Sequence, residues 1–135
     1  MAVTHKPVFA QAQRTATAVA TAAKSTYADA ANAVLLLTAG PDGALVTRLQ
    51  AMPRGTVTAT QLQVYVSRDG GTTLDLVESR LLGAYTMAAT SAIPMVDFGF
   101  VDEAPLRLGP SDRLYVALGV EQAPGVVFFA AYADF

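Results

Sequence analysis

Residues 61–67 alternate without interruption, with Leu62, Val64 and Val66 on one side of an extended chain and Gln61, Gln63, Tyr65 and Ser67 on the other. A period of two over this length places successive side chains on opposite faces of a half-buried strand, and no helix satisfies it. Arg68-Asp69-Gly70-Gly71 follows at once. Glycine reaches positive φ without steric penalty and aspartate bonds its own backbone, so this tetrapeptide reads as a turn. The pattern resumes over 72–77, with Leu74 and Leu76 on one face, and the two runs together predict a hairpin.

The same grammar extends in both directions. A short apolar run at 33–38 closes on Gly40-Pro41-Asp42-Gly43, read as a second hairpin turn. The run at 44–52 sets Leu45, Thr47 and Leu49 against Val46, Arg48 and Gln50, and ends at Pro53-Arg54-Gly55. A strand is expected over 93–101, with Pro94 near its start where a missing donor does least harm. Residues 105–112 read as a loop. Residues 114–120 and 125–132 read as a final pair of strands joined by Glu121-Gln122-Ala123-Pro124. Short strands at even spacing, with no amphipathic helix between them, predict an all-β chain folded as an antiparallel β-sandwich or barrel.

Two alanine-rich segments, 16–24 and 28–37, have helical propensity. In the first, Thr15, Thr17, Val19 and Thr21 alternate with alanines, and β-branched residues favour an extended chain. The first two dozen residues carry almost no large hydrophobes after Val8 and Phe9. Residues 1–24 are therefore expected to form an extended N-terminal arm, and 25–135 the sandwich body. The stretch at 8–23 lacks the compact apolar core of a signal peptide, so no secretion signal is expected.

Chemistry is sparse. His5 is the sole histidine and cysteine is absent, which removes thiol nucleophiles, thiolate metal sites and most acid–base designs. Asp97, Asp102 and Glu103 form the densest acidic group, but their spacing matches no calcium loop. Asp42 and Asp69 sit beside glycines as turn residues. The glycine-rich turns lack the lysine and hydroxyl of a phosphate loop, and Ser67, Ser79, Ser91 and Ser111 lie in no nucleophile elbow. Phe98, Phe100, Tyr115, Phe128, Phe129 and Tyr132 read as core or interface residues. No catalytic residue, cofactor or metal is expected, and the chain reads as a non-enzyme. Its nine basic residues are scattered and the net charge is −2, which supplies no basic patch for nucleic acid and no pull toward anionic lipid. No apolar run approaches the length of a membrane helix. Charged residues make up only 15% of the chain, as fits either a surface covered by partners or an alanine-rich composition.

From Ala33 onward the chain resembles small tailed-phage virion proteins of the capsid decoration, or cement, type. The resemblance rests on an ordered set of short motifs. Leu37-Thr38-Ala39-Gly40-Pro41-Asp42-Gly43-Ala44 is similar to the family's LFTAG-x-G turn, and 45–51 to its arginine-bearing strand. The run 62–71 resembles its RLFI-x-DG hairpin, 106–114 its L-x-L-P-A-G-x-x-L stretch, and 125–135 its last strand. Gly109-Pro110-Ser111 replaces the family's proline-alanine-glycine turn, and the C-terminal residues also depart from its pattern. The resemblance implies a jelly-roll-like body, a place on the capsid exterior of the virion, the major capsid protein as partner, and self-association, with a trimer suiting local three-fold positions. With the arm as the contact element, Val8, Phe9, Gln11, Gln13 and Arg14 are the candidate interface residues. Two other readings stay open: a tail, neck or fibre component of the virion, and a glycan-binding sandwich module using loops such as Asp69-Gly70-Gly71 and Asp102-Glu103.

Overall fold

The computed structural model describes residues 12–24 and 26–135. Every element among them is a strand: β1 (Ala12–Ala20), β2 (Val34–Thr38), β3 (Ala44–Pro53), β4 (Thr60–Ser67), β5 (Asp75–Leu82), β6 (Val96–Asp97), β7 (Leu106–Leu108), β8 (Arg113–Leu118) and β9 (Val126–Asp134). They build two antiparallel sheets packed as a sandwich. The five-stranded sheet runs β1-β9-β3-β6, with β7 also on β3, and the four-stranded sheet runs β2-β8-β4-β5. Leu62, Val64 and Val66 enter the core between the sheets, as their alternation requires, and join Val46, Leu49, Leu114, Val116, Val126 and Phe128.

The expected β4–β5 hairpin is present, with β5 beginning at Asp75 and running to Leu82. Two other connections differ from their sequence reading. Gly40-Pro41-Asp42-Gly43 does not close a hairpin: β2 lies in the four-stranded sheet and β3 in the five-stranded one, so the turn carries the chain across the sandwich. The final strands β8 and β9 likewise belong to opposite sheets. A tight turn leaves the same sequence trace whether its strands then pair or splay to either side of a core, which is why both read as pairs. At the crossing, Gly43 has φ 93°, and a Cβ there would lie 2.6 Å from the Leu108 carbonyl oxygen. Backbone packs where a side chain would sit, so this glycine is obligatory.

β3 also departs from strict alternation. Its inward residues are Ala44 and Val46, then Leu49 and Ala51, because the register with β9 slips between Val46 and Arg48. One extra residue, Thr47, is accommodated in a β-bulge, and the parity of the strand flips across it. The 93–101 segment contributes a ladder of only two residues, β6, held further by Phe98 N–H donating to the Leu49 carbonyl. Residues 105–112, expected as a loop, contain β7. Of the two alanine-rich segments, 16–24 is extended through residue 20 in β1 and irregular after it, and 28–37 is turn and irregular chain until it enters β2 at Val34.

The described part of the N-terminal segment belongs to the body. β1 pairs with β9 over its full nine residues and buries Ala18 and Ala20 against the core. The boundary expected at residue 24 is therefore corrected: the sandwich already includes Ala12.

Among the described residues one buried polar side-chain atom lacks a partner, the Tyr85 hydroxyl. An unsatisfied buried hydroxyl costs roughly 1–3 kcal/mol. Tyr85→Phe is expected to raise stability by about 0.5–1 kcal/mol, a part of that cost. A urea titration showing a loss would mean that the hydroxyl has a partner in solution.

Candidate functional site

The bulge in β3 positions a concavity. A pocket of about 480 Å³ lies on the outward face of the five-stranded sheet, lined by Thr47, Arg48, Asp97, Phe100, Val101, Asp102, Glu103 and Ala131. Because Thr47 is the inserted residue, it and Arg48 both reach this face, an arrangement that regular alternation forbids. Thr47 Oγ1 donates to the Ala131 carbonyl, 3.3 Å away, which ties the bulge to β9. Asp97 stands opposite Gln50 while its neighbour Val96, opposite Ala51, packs against the core. The rim is the tight turn at 101–104, closed by Ala104 N–H donating to the Val101 carbonyl. Its central residues, Asp102 and Glu103, project freely.

Three carboxylates and one guanidinium thus surround a wall formed by Phe100. Such a pocket offers hydrogen-bond acceptors, a donor fork and an apolar platform, which suits reversible binding of a polar organic group. It lacks a nucleophile–base pair. Asp97 is partly committed, since its Oδ1 accepts the Gly99 N–H at 2.8 Å. Among the described residues no three of His, Cys, Asp and Glu are grouped to hold a metal ion. Asp97, Asp102 and Glu103 stand out in the sequence as its densest acidic group, whereas Arg48 and Thr47 do not, because the bulge that brings them to the pocket leaves no local mark.

The expected arm contacts divide. Val8, Phe9 and Gln11 lie outside the described residues. Gln13 and Arg14 sit on β1, opposite Ala133 and Tyr132. Arg14 Nε is 2.9 Å from Asp134 Oδ2, and Asp134 Oδ1 accepts the Gly40 N–H at 3.0 Å. Arg14 therefore closes the protein's own sheet. His5 lies outside the described residues.

A second polar centre covers the opposite sheet. After β1 the chain crosses the outer face of β4 and β8, with Lys24 N–H donating to the Leu118 carbonyl. Lys24 is buried, and its Nζ donates to Asp29 Oδ1 at 2.9 Å and to the Asp29 and Ala31 carbonyls, 5.3 Å from the centre of the Tyr65 ring. A buried ammonium needs this full set of acceptors. Tyr65 in turn donates to Gln63 Oε1 at 2.6 Å, and Tyr27 and Gln63 both donate to Gln61 Oε1 at 3.0 Å. Gln63, Tyr65 and Ser67, the polar side of β4, are consequently as buried as its apolar side. Burial pushes the Tyr65 phenol up to about 12, with smaller contributions from Tyr27 and Asp29. This centre fastens a loop.

The two structural carboxylates are depressed below the ordinary 3.8. The Lys24 ammonium, then the Thr26 hydroxyl and the Ala31 N–H, lower Asp29. The Thr73 N–H leads the donors that lower Asp69, which also accepts from Ser67 and from the Thr72 N–H. A folded value below the unfolded one means that the unfolded chain binds protons first on acidification. The stabilisation is complete above pH 3.8 and drains away as pH falls through the depressed folded values. Asp69→Asn keeps the acceptor oxygen but removes the charge. Its acid unfolding curve is expected to be flatter below that point than the parent's, and an unchanged slope would show that the carboxylate is not linked to folding.

Comparison with protein-family models, with curated proteins and with solved structures finds no match to this chain.

Proposed function

We propose that this chain is a virion structural protein of a tailed phage, a decoration or cement protein that binds the outside of the capsid through the major capsid protein and through copies of itself. The observation that carries the reading is an unsatisfied surface. Leu76, Val77 and Leu81 on β5, and Met87, Ile93 and Met95 between β5 and β6, are exposed. Scattered exposed apolar residues need no explanation, but six between residues 76 and 95 are what a region covered by a partner would carry. Two features agree with it. The resemblance motifs fall on the Gly40–Gly43 crossing turn and the β4–β5 hairpin, which set the shape of the body. Modest contacts per copy also sum over a repeated capsid lattice.

The pocket around Arg48 and Phe100 favours one other reading, a sandwich module that holds a glycan. Quantitative mass spectrometry of virions separated into heads and tails distinguishes them. Hundreds of copies travelling with heads are expected. A few copies travelling with tails would move the protein to the neck, tail or fibre. Absence from virions, with glycan binding lost in Arg48→Ala, would replace the virion role by the glycan-binding one.

A further inference from the structure

We infer that β5 is a self-pairing edge, through which two copies of this chain join antiparallel about a two-fold axis at Ser79. The proposal deepens the self-association in the virion reading; it rests on that reading for its setting and on β5 alone for its geometry.

Among the described residues β5 is the outer strand of the four-stranded sheet and pairs on one side only, with β4. An unpaired edge offers a row of N–H and C=O groups, and natural proteins usually blunt such edges with charge or cover them. Here Val77 and Leu81 are 44% and 71% exposed. The edge of β1 differs, since Gln13, Arg14, Thr15 and Thr17 make it polar.

Symmetry selects the occupant. In an antiparallel ladder, directly opposed residues share the same hydrogen-bonding character, and that character alternates along the strand. A strand pairing with its own copy must therefore set the two-fold on a residue, because an axis between residues opposes groups of unlike character. The interior candidates are Glu78, Ser79 and Arg80. Centring on Glu78 opposes two carboxylates, and centring on Arg80 opposes two guanidinium groups. Centring on Ser79 opposes Glu78 to Arg80 of the second copy, twice, and brings the exposed Leu81 of each copy to the end of the shared ladder. Like charges directly opposed destabilise a sheet, whereas opposite charges and apolar pairs stabilise it. The sequence is self-complementary in this register alone of the three. Glu78 and Arg80 share a face by alternation and already approach within one chain, at 3.8 Å, while another nitrogen of Arg80 donates to the Phe98 carbonyl at 3.2 Å. The bulge at Val77, where the β4 register slips, lies outside the central residues Glu78, Ser79 and Arg80.

Sedimentation equilibrium of the full chain is expected to give a dimer. Glu78→Arg opposes cations and is expected to weaken it about tenfold or more, while adding Arg80→Glu restores opposite charges and most of the affinity. Opposed Cα atoms about 4.5–5.5 Å apart also match disulfide geometry. The chain has no cysteine, so Ser79→Cys is expected to oxidise to a covalent dimer, and Thr15→Cys on β1 is not. A monomer at all concentrations would overturn the proposal, as would an oligomer indifferent to Glu78→Arg with Ser79→Cys uncrosslinked. A trimer of that kind on phage heads would sink this interface and leave the virion role standing. A Ser79-linked dimer absent from virions would do the reverse.

Discussion

Phe98→Ala is expected to destabilise the protein by about 3–5 kcal/mol, the usual cost of truncating a buried phenylalanine, and to erase the pocket with it. Phe98 is 2% exposed and its ring centre lies 6.3 Å from that of Phe128, in the middle of the core. The chain around it has little else to hold it. β6 supplies two ladder residues, Phe98 N–H bonds to Leu49, and Arg80 donates to the Phe98 carbonyl at 3.2 Å. The side chain acts as a peg that fixes Asp97 on one side and Phe100, Asp102 and Glu103 on the other. Removing it leaves a large cavity and frees one wall of the pocket. Asp97→Ala, by contrast, removes only the acceptor for Gly99 N–H and is expected to cost about 1 kcal/mol. Urea denaturation of both variants, with amide exchange over 97–104, checks the pair. A loss below about 1 kcal/mol for Phe98→Ala would show that the segment is held by its surface bonds.

This segment also marks where sequence reading stops. The turn and strands of the β4–β5 hairpin were legible because alternation, aspartate and glycine all act within a few residues. The run 93–101 is apolar enough to pass for a strand, yet its apolar content reflects one inserted ring and not a ladder. Arg48 shows the same limit. Its presence in the pocket follows from one extra residue, Thr47, whose placement depends on how β3 meets β9 and not on β3 alone. Lys24 is the sharper case. A lysine in an alanine-rich stretch reads as a solvated charge, and it is buried because Asp29 and two carbonyls fold back over it across the polar face of β4. Local periodicity reports which face a residue occupies. It does not report whether a neighbouring loop later covers that face.

Two N-terminal truncations should behave in opposite ways. Deleting residues 1–20 removes β1 and bares the edge of β9 from Val126 to Asp134. It withdraws Ala18 and Ala20 from the core, the Arg14–Asp134 ion pair, and Val19, which packs against Gly125. At roughly 1 kcal/mol per net hydrogen bond, a nine-residue ladder with its burial is comparable to the whole stability of a domain, about 5–15 kcal/mol. This variant is expected to be unfolded or aggregated, because an exposed edge next to an opened core templates association. Deleting 1–11 leaves β1 and each of these interactions in place, so the sandwich is expected to stay folded. On the virion reading, with Val8, Phe9 and Gln11 as contacts, the shorter deletion should lose binding to undecorated heads while remaining folded. Cosedimentation with heads, beside a thermal melt, separates the outcomes. A folded variant lacking 1–20 would show that β1 is dispensable to the body. Undiminished head binding by the variant lacking 1–11 would transfer the capsid contact to the sandwich itself, where the exposed residues between Leu76 and Met95 become the surface to test.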